Sequence, residues 1–439
     1  MKKNSDQTSG DARTTSFENA AGGGLSPVTW VPTLYFAEAL PYMAVMTLST
    51  VMYTNMDLTN TELALYTSWL YLPWVIKPLW SPIVDSLRTK RWWILAMQIL
   101  VGASLAGVAL SLQTDMWLRM TLAFFWLMAF SSSTHDIAAD GFYILGLTEK
   151  EQALYVGWRS TFYRIGTIFS QGGLVFMAGI LQRHYATTVS WSIVLALAAV
   201  LMMALAAWHN TTLPKIENKN HGGKKDEKNE GIIDSFAHTL RIFFSKKGIW
   251  GAVLFMLLFR FPEAQLAKMA QPFMLRGIAE GGLALTTETV GVAYGTIGVA
   301  GLLAGGIVGG WLVSRHGLKR WWWPMIMAIS LPDAVYIYMA MAQPSSLWQI
   351  NGCVALEQLG YGFGFTAYML FLVYFSRGER STSVFSICTA LQALGMMLPG
   401  MLAGYLADSW GFATFFWWVM LCCMVTVAVS AVAKPDSKT

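Results

Sequence analysis

Runs of about twenty apolar residues recur from one end of this chain to the other, and that recurrence limits its fold more than any motif does. Twelve can be marked out, near 28–54, 62–84, 92–113, 117–145, 152–177, 188–209, 249–275, 287–313, 321–342, 347–375, 381–405 and 412–433. A helix of about twenty residues crosses the roughly 30 Å hydrocarbon layer of a bilayer. Lipid offers backbone groups no hydrogen-bond partners, so a spanning chain must be helical or form a closed barrel. These runs are continuous rather than alternating, which excludes the barrel. Composition agrees: 55% of the 439 residues are hydrophobic and only 13% are charged, against about 25% charged in a soluble domain. The expected fold is an all-α integral membrane protein with twelve transmembrane helices, solvated by the lipid bilayer.

Residues 1–27 are polar and contain no apolar h-region, so they are expected to be a disordered tail rather than a signal peptide. Lys and Arg set the orientation. Arg88, Lys90 and Arg91 follow the second run; Lys215, Lys219, Lys224, Lys225, Lys228, Lys246 and Lys247 follow the sixth. Arg315, Lys319 and Arg320 follow the eighth, and Arg377 and Arg380 the tenth. The alternate loops are poor in basic residues, apart from Arg119, Arg183 and Arg276. Both termini are therefore expected in the cytoplasm of a multi-pass inner-membrane protein. The net charge of +5 reflects this bias and does not indicate nucleic acid. Cys353, Cys388, Cys422 and Cys423 all fall inside apolar runs and read as packing residues, not as a disulfide framework or metal site. The chain shows no zinc spacing, nucleophile–base pair or nucleotide loop, so neither an enzyme nor a cofactor is expected.

The longest polar interruption, 214–248, separates six runs from six. The expected domains are a six-helix bundle over 28–213, a cytoplasmic linker over 214–248, a second bundle over 249–433 and a tail over 434–439. Within the linker, IIDSFAHTLRIFFSKKG spaces Ile232, Phe236, Leu240 and Phe243 as one face of an amphipathic surface helix. The halves also echo each other. KPLWSPIVDSLRTKR follows the second run and GGWLVSRHGLKR the eighth. A six-plus-six repeat joined by a long linker resembles the major facilitator superfamily, whose two bundles rock around a midplane site. GGWLVSRHGLKR is similar to that superfamily's G-x-x-x-D-R-x-G-R-R loop: Gly310, Arg315, Gly317, Lys319 and Arg320 match, and Ser314 replaces the acid. In the first copy Asp85 is present but Ser81 stands for the leading glycine. The resemblance implies gating roles for Asp85, Arg88 and Arg315. Basic residues that simply hold the inner face are the alternative reading.

A charge at the centre of a membrane helix costs roughly 2.5–3.5 kcal/mol on insertion scales. Glu38, Lys77, Asp136, Asp140, Arg164, Arg260, Glu263, Lys268 and Glu357 all lie inside apolar runs, and so each needs a partner or water. Asp136 and Asp140 are four apart and share a helix face. Two carboxylates so close resist joint ionisation, which suits proton carriage; the alternative is static pairing with Arg164. His135 points about 100° away from Asp136 and reads as packed. Arg260 and Glu263 can pair at three residues' spacing, and Pro262 and Pro272 bend that run near a substrate pathway. Glu357 and Gln358 precede Gly360, Gly362 and Gly364, which permit close helix approach. Tyr361 can stack on a sugar. Lys77 either snorkels or faces a cavity, and Glu38, before Pro41, can face one too. Tyr35, Tyr42, Trp69 and Tyr143 are further candidates for cavity walls.

SSSTHDIAADGFYI followed by FYRIG resembles the AmpG-type muropeptide permeases, with S-x-x-D-I-x-x-D-x-W on span 4 and Y-R-x-G on span 5. Asp136, Asp140, Tyr163, Arg164 and Gly166 match, and Phe142 replaces the Trp. YLPWVIKPLWSPIVD is similar to that family's K-x-L-W-S-P-x-x-D through Lys77, Leu79, Trp80, Ser81, Pro82 and Asp85. FRFPEAQ and ALEQLGYGFG resemble its patterns on spans 7 and 10, with Glu263 and Gln358 in place of Asp and Asn and Glu38 as an extra acid. That family is related to the acetyl-CoA transporters. The resemblance implies proton-driven import of peptidoglycan fragments, a small glycan or glycopeptide cargo, across a bacterial inner membrane. Asp136, Asp140 and Arg164 would couple protons. Glu38, Lys77, Tyr143, Arg260, Glu263, Lys268, Glu357, Gln358 and Tyr361 would bind cargo. A simple disaccharide or a phosphate- or CoA-type anion is the alternative cargo.

Overall fold

The structure, a computed structural model, describes residues 26–215 and 232–433. The tail expected over 1–27, apart from its last two residues, lies outside them, as do 434–439 and linker residues 216–231. Thirteen helical stretches follow in order: α1 Pro27–Asn55, α2 Asn60–Trp69, α3 Leu72–Ser86, α4 Lys90–Ser111, α5 Trp117–Gly146, α6 Glu149–Gln182, α7 Thr187–Thr212, α8 Ile232–Ser245, α9 Ile249–Leu275, α10 Thr287–His316, α11 Leu318–Ala342, α12 Leu347–Ser376 and α13 Ser381–Val432. The described residues contain no strand.

Local chemistry sets the ends and breaks of these helices. Thr59 with Glu62 forms a capping box on α2, Thr148 with Glu151 forms one on α6, and the Thr89 hydroxyl accepts from the Trp92 N–H at the start of α4. Pro262 has no N–H to offer the preceding turn, and α9 breaks just before it, at Phe259–Arg260. Pro332 sits in a 3₁₀ turn at Leu331–Asp333 within α11. Gly411, with φ 74°, takes a left-handed conformation that only glycine adopts freely, and α13 turns there. Single π-helical turns occur at Ala44–Leu48 in α1, Ile168–Leu174 in α6 and Ala293–Gly298 in α10.

Nine segments among the described residues have the length and mean hydropathy to cross a membrane. Other expected runs are helical as well. Run 62–84 is divided between α2 and α3, and run 117–145 lies in α5, where four hydroxyl residues (131–134) and two aspartates lower the hydropathy. The last two runs form α13, bent at Gly411.

The N-terminal helices pack α4 on α5 and α7, and α1 on α5 and α6. The C-terminal ones pack α10 and α11 on α12, and α9 on α13. The halves meet mainly through α2 and α3 on α13, and α6 on α10. This seam is tight. A Cβ placed on Gly295 would lie 2.1 Å from Gly172 Cα, and one on Gly404 would lie 1.8 Å from the Asn60 carbonyl oxygen. Small residues allow backbones this close, and larger ones do not.

The seam lies at one end of the molecule, where the connections 56–59, 183–186 and 276–286 gather. There the Thr61 N–H and hydroxyl both donate to Asp408 Oδ2, at 2.7 and 2.6 Å. Asn55 donates to Thr287 Oγ1 at 2.9 Å, Arg183 meets Glu288 at 2.6 Å, and the Arg276 guanidinium donates to the Leu58 carbonyl. One apolar cluster runs through both halves at this end, from Leu40 and Val51 to Phe273 and Phe416. At the other end the clusters are separate: one holds Trp30, Ile94 and Phe142, the other Phe255, Trp322 and Tyr368. The molecule is sealed at one end and divided at the other. Helix α8 lies at the divided end against the C-terminal half, with Phe243 buried and Lys246 donating to the carbonyls of Phe375 and Arg377, both at 2.8 Å.

Candidate functional site

A cavity of about 710 Å³ lies between the halves. Its walls come from α1, α2/α3, α5, α6, α9, α12 and α13, and its lining reaches Lys90, Ile144 and Thr382 near the divided end. Four of the sequence-derived candidates face it: Lys77, Asp136, Asp140 and Arg260. Tyr42 and Tyr163 line it as well, whereas Tyr35 and Trp69 do not.

The acids stand on α5 one turn apart, and each has its own cation. The Lys77 ammonium, from α3, donates to Asp136 Oδ2. Arg159 Nη2, from α6, meets Asp140 Oδ1 at 2.6 Å. The Arg159 guanidinium also lies 4.5 Å from the Tyr35 ring centroid, and the Tyr35 hydroxyl donates to Asp140 Oδ1 at 3.4 Å. The expected partner, Arg164, makes no ion pair with either acid, and among the described residues it makes none at all. The reason is geometric: Arg159 and Arg164 are five apart, hence about 140° apart around the helix. When Arg159 faces Asp140, Arg164 cannot. Glu38, buried on α1, lies near Asp136, and its Oε2 has no hydrogen-bond partner among the described residues. The cluster therefore brings Glu38, Asp136 and Asp140 together with Lys77 and Arg159.

Other expected residues sit differently. Tyr143 does not line the cavity: it is buried behind the cluster, and its hydroxyl donates to the Gln152 carbonyl at 2.6 Å, tying the end of α5 to α6. The Tyr361 hydroxyl accepts from Arg260 Nη2 at 2.7 Å, and the guanidinium lies 5.5 Å from the Tyr361 ring centroid. Arg260 also meets Glu263 Oε1 at 3.2 Å and lies 4.9 Å from the Phe365 ring centroid. These contacts aim the guanidinium at the cavity. Glu263, Lys268, Glu357 and Gln358 face a second, smaller cavity of about 150 Å³ toward the sealed end. The side chain of Asp85 lies outside the described residues. Arg88 and Arg315 are exposed and lie over the rings of Trp92, at 5.7 Å, and Trp311, at 4.3 Å; neither forms an ion pair among the described residues.

Several polar residues escaped the sequence reading. Arg159 and Asp333 lie inside apolar runs and were open to the test that found the other charges. Asp333 is buried beside Cys423. Gln98 bridges His135 Nε2 and His209 Nδ1 at 3.0 Å each, and His209 Nε2 meets Thr33 Oγ1 at 3.0 Å. Gln98, His135 and His209 are fully buried, so this is a structural network away from the cavity.

The family model described as the Major Facilitator Superfamily matches residues 33–398. An anhydromuropeptide permease of Escherichia coli is 24% identical over 354 residues, which cover 78% of this chain and 67% of that protein. A putative transporter, AmpG 4, of Rickettsia conorii is 23% identical over 361 residues, 79% of this chain and 81% of that one. A Haemophilus influenzae protein, named only as uncharacterized, is 23% identical over 400 residues, 88% and 89% of the two chains. Among solved structures, the nucleoside transporter NupG superposes with a TM-score of 0.70 at 14% identity, over 92% of this chain and 98% of that one. A D-xylose–proton symporter gives 0.67 at 12%, over 91% and 94%. The solved structures, at 14% and 12% identity, speak for the fold alone.

Proposed function

This chain belongs to the major facilitator superfamily, and from that premise we propose that it imports anhydro-muropeptides, driven by protons. The Escherichia coli and Rickettsia conorii relatives support the cargo class. One observation carries the mechanism: Asp136 and Asp140, each paired with a cation, stand on the wall of the cavity between the halves. At about 710 Å³ that cavity lies toward the upper part of the roughly 300–1,000 Å³ range of ligand pockets. Such a volume suits a glycan carrying a short peptide better than a single sugar.

The residues can act as follows. A proton on Asp136 removes the counter-charge of Lys77, and a proton on Asp140 does the same for Arg159. Each cation is then free to meet an acceptor on the cargo. Glu38, against Asp136, offers a third carboxyl over which a proton can be shared. The ion pairs hold α3, α5 and α6 in one arrangement, and protonation loosens it, so proton binding biases the equilibrium between two packings of the halves. Basic residues crowd the divided end, in the connections holding Arg88, Arg315, Lys319, Arg320, Arg377 and Arg380. By the positive-inside rule that end faces the cytoplasm. The cavity then opens inward, both termini are cytoplasmic, and the membrane is the bacterial inner membrane. Asp85, Arg88 and Arg315 are gating candidates on this reading.

The test is uptake of labelled anhydro-disaccharide–peptide into proteoliposomes under an imposed pH gradient, with wild type, Asp136→Asn and Asp140→Asn. The asparagine variants should bind cargo and lose the acceleration by the gradient. An unchanged pH response in both variants would remove the coupling mechanism. Preferential stabilisation by a plain disaccharide or a phosphorylated metabolite, in a thermal-shift comparison, would change the cargo.

A further inference from the structure

The smaller cavity, about 150 Å³, adjoins the larger one through Tyr71 and Met396, which line both. Thr47 and Gln171 reach it from the N-terminal half; Glu263, Lys268, Gln271 and Glu357 reach it from the other. It is the deep end of the path between the halves, next to the sealed end.

Its charges are placed unusually. Lys268 is only 5% exposed, and its ammonium donates to the Thr67 hydroxyl at 3.0 Å and lies 5.3 Å from the Tyr71 ring centroid. No carboxylate among the described residues forms a salt bridge with it. Glu357 is 4% exposed, and among the described residues its oxygens accept only from the side-chain amide of the adjacent Gln358, at 3.2 and 3.0 Å. One oxygen of Glu263 meets Arg260, while Oε2 is buried with no hydrogen-bond partner among the described residues. Gln271, at 6% exposure, makes no side-chain hydrogen bond among the described residues. Burying an isolated charge in a membrane protein is costly, and such charges normally find each other. Here opposite charges share one small chamber and do not meet. What satisfies both is a ligand that carries both signs.

We infer that this chamber receives an ammonium–carboxylate end group of the cargo, with the ammonium between Glu357 and Glu263 and the carboxylate at Lys268. Gln271 supplies an amide to either part. At about 150 Å³ the chamber is much smaller than the main cavity and suits an amino-acid head group. The inference rests on the importer reading above and deepens it: the glycan occupies the large cavity and the free end of the peptide enters the chamber. Muropeptides whose peptide ends in a diamino acid carry both groups on that residue. Specificity here comes from the buried polar groups. A cargo lacking either charge leaves one of them unpaired, which is a stronger rejection than a poor fit to an apolar wall.

The experiment is equilibrium binding to the purified full chain in detergent. The probes are an anhydro-disaccharide–tripeptide ending in a diamino acid, the same molecule with its amine acetylated, the same with its terminal carboxylate amidated, the disaccharide without peptide, and the dipeptide Ala-Ala. Acetylation and amidation should each weaken binding by roughly tenfold or more, the worth of one charge-assisted hydrogen bond. Glu357→Gln should bind the free-amine and acetylated probes equally, and Lys268→Gln should bind the free-acid and amidated probes equally. Each variant should keep the discrimination made by the other group, Glu357→Gln still separating the free-acid from the amidated probe and Lys268→Gln the free-amine from the acetylated one, which shows that it is folded. Equal affinity of wild type for all three tripeptide probes overturns the inference and leaves the importer reading standing. Binding of Ala-Ala that depends on Glu357 and Lys268, without binding of the disaccharide, keeps the inference and overturns the muropeptide cargo. Binding of none of the probes rejects the inference.

Discussion

The seam between α6 and α10 can be pried open with one methyl-bearing side chain. A Cβ on Gly295 would sit 2.1 Å from Gly172 Cα and 2.2 Å from its nitrogen. Non-bonded carbon atoms prefer about 3.5–4.0 Å, so the two helices must move apart by roughly 1.5 Å to admit a valine. The obstacle is backbone, which cannot rotate away. Overpacking of this kind costs about 1–3 kcal/mol, and it is charged only to the arrangement in which the seam is closed. If the halves part there in the opposite state, Gly295→Val shifts the equilibrium toward that state by about five- to 140-fold, at about 1.4 kcal/mol per decade. The measurement is a distance distribution between spin labels at Tyr185 and Ile278, both exposed at the sealed end on opposite halves, with the four native cysteines replaced. A longer distance should grow from a trace to a substantial fraction. Gly352→Val, where a Cβ would meet nothing within 4 Å, should leave the distribution alone. A folded Gly295→Val protein with an unchanged distribution and an unchanged melting temperature would refute the reasoning, because the clash would have been absorbed without opening the seam.

Asp408→Ala removes the acceptor shared by the Thr61 N–H and hydroxyl; it should open the same end more weakly, by about 1 kcal/mol per lost bond at most, read with the same labels. Lys77→Met should abolish gradient-driven uptake and lower the melting temperature, because it leaves Asp136 without its cation. The double variant Lys77→Met/Asp136→Asn should recover melting temperature without recovering uptake, and simple additivity of the two losses would contradict the pairing. Gln98→Leu leaves His135 and His209 without the amide that joins them. It should destabilise the N-terminal half by about 1–3 kcal/mol for each group left unsatisfied, seen as a lower melting temperature, while the pH profile of residual uptake keeps its shape.

The fold was legible because lipid leaves the backbone so little choice. Twenty apolar residues must be a helix, and the positions of Pro262, Pro332 and Gly411 fall where the helices break or turn. The pairing of Asp136 with Asp140 was legible for a similar reason, since i and i+4 share a face whatever surrounds them. Their cations were not. Whether Arg159 or Arg164 meets Asp140 depends on the rotation and register of α6 against helices distant in sequence, and motif spacing favoured the wrong one. Sequence offers Tyr143 as a cavity wall and Tyr361 as a ring that can stack on a sugar. Their hydroxyls hold the Gln152 carbonyl and Arg260, partners that no local pattern reveals. Asp333 lies in an apolar run as plainly as Glu357 does, so the same test applies to it. That Lys268 and Glu357 share a chamber without touching is a fact of three dimensions alone.

The π turns in α1, α6 and α10 bear on how such a molecule would move. Each inserts a wider turn of backbone, out of step with the helix on either side, into a rod that faces the opposite half. A rod widened at one turn can flex there without losing the turns on either side. The three wide turns sit in helices close to the glycine seam, so the sealed end would come apart by the bowing of a few rods while the bulk of each half keeps its shape. Amide hydrogens at Ala44–Leu48, Ile168–Leu174 and Ala293–Gly298 would then trade with heavy water sooner than their neighbours, and freezing one such turn into a regular helix would slow the cycle without touching the cargo.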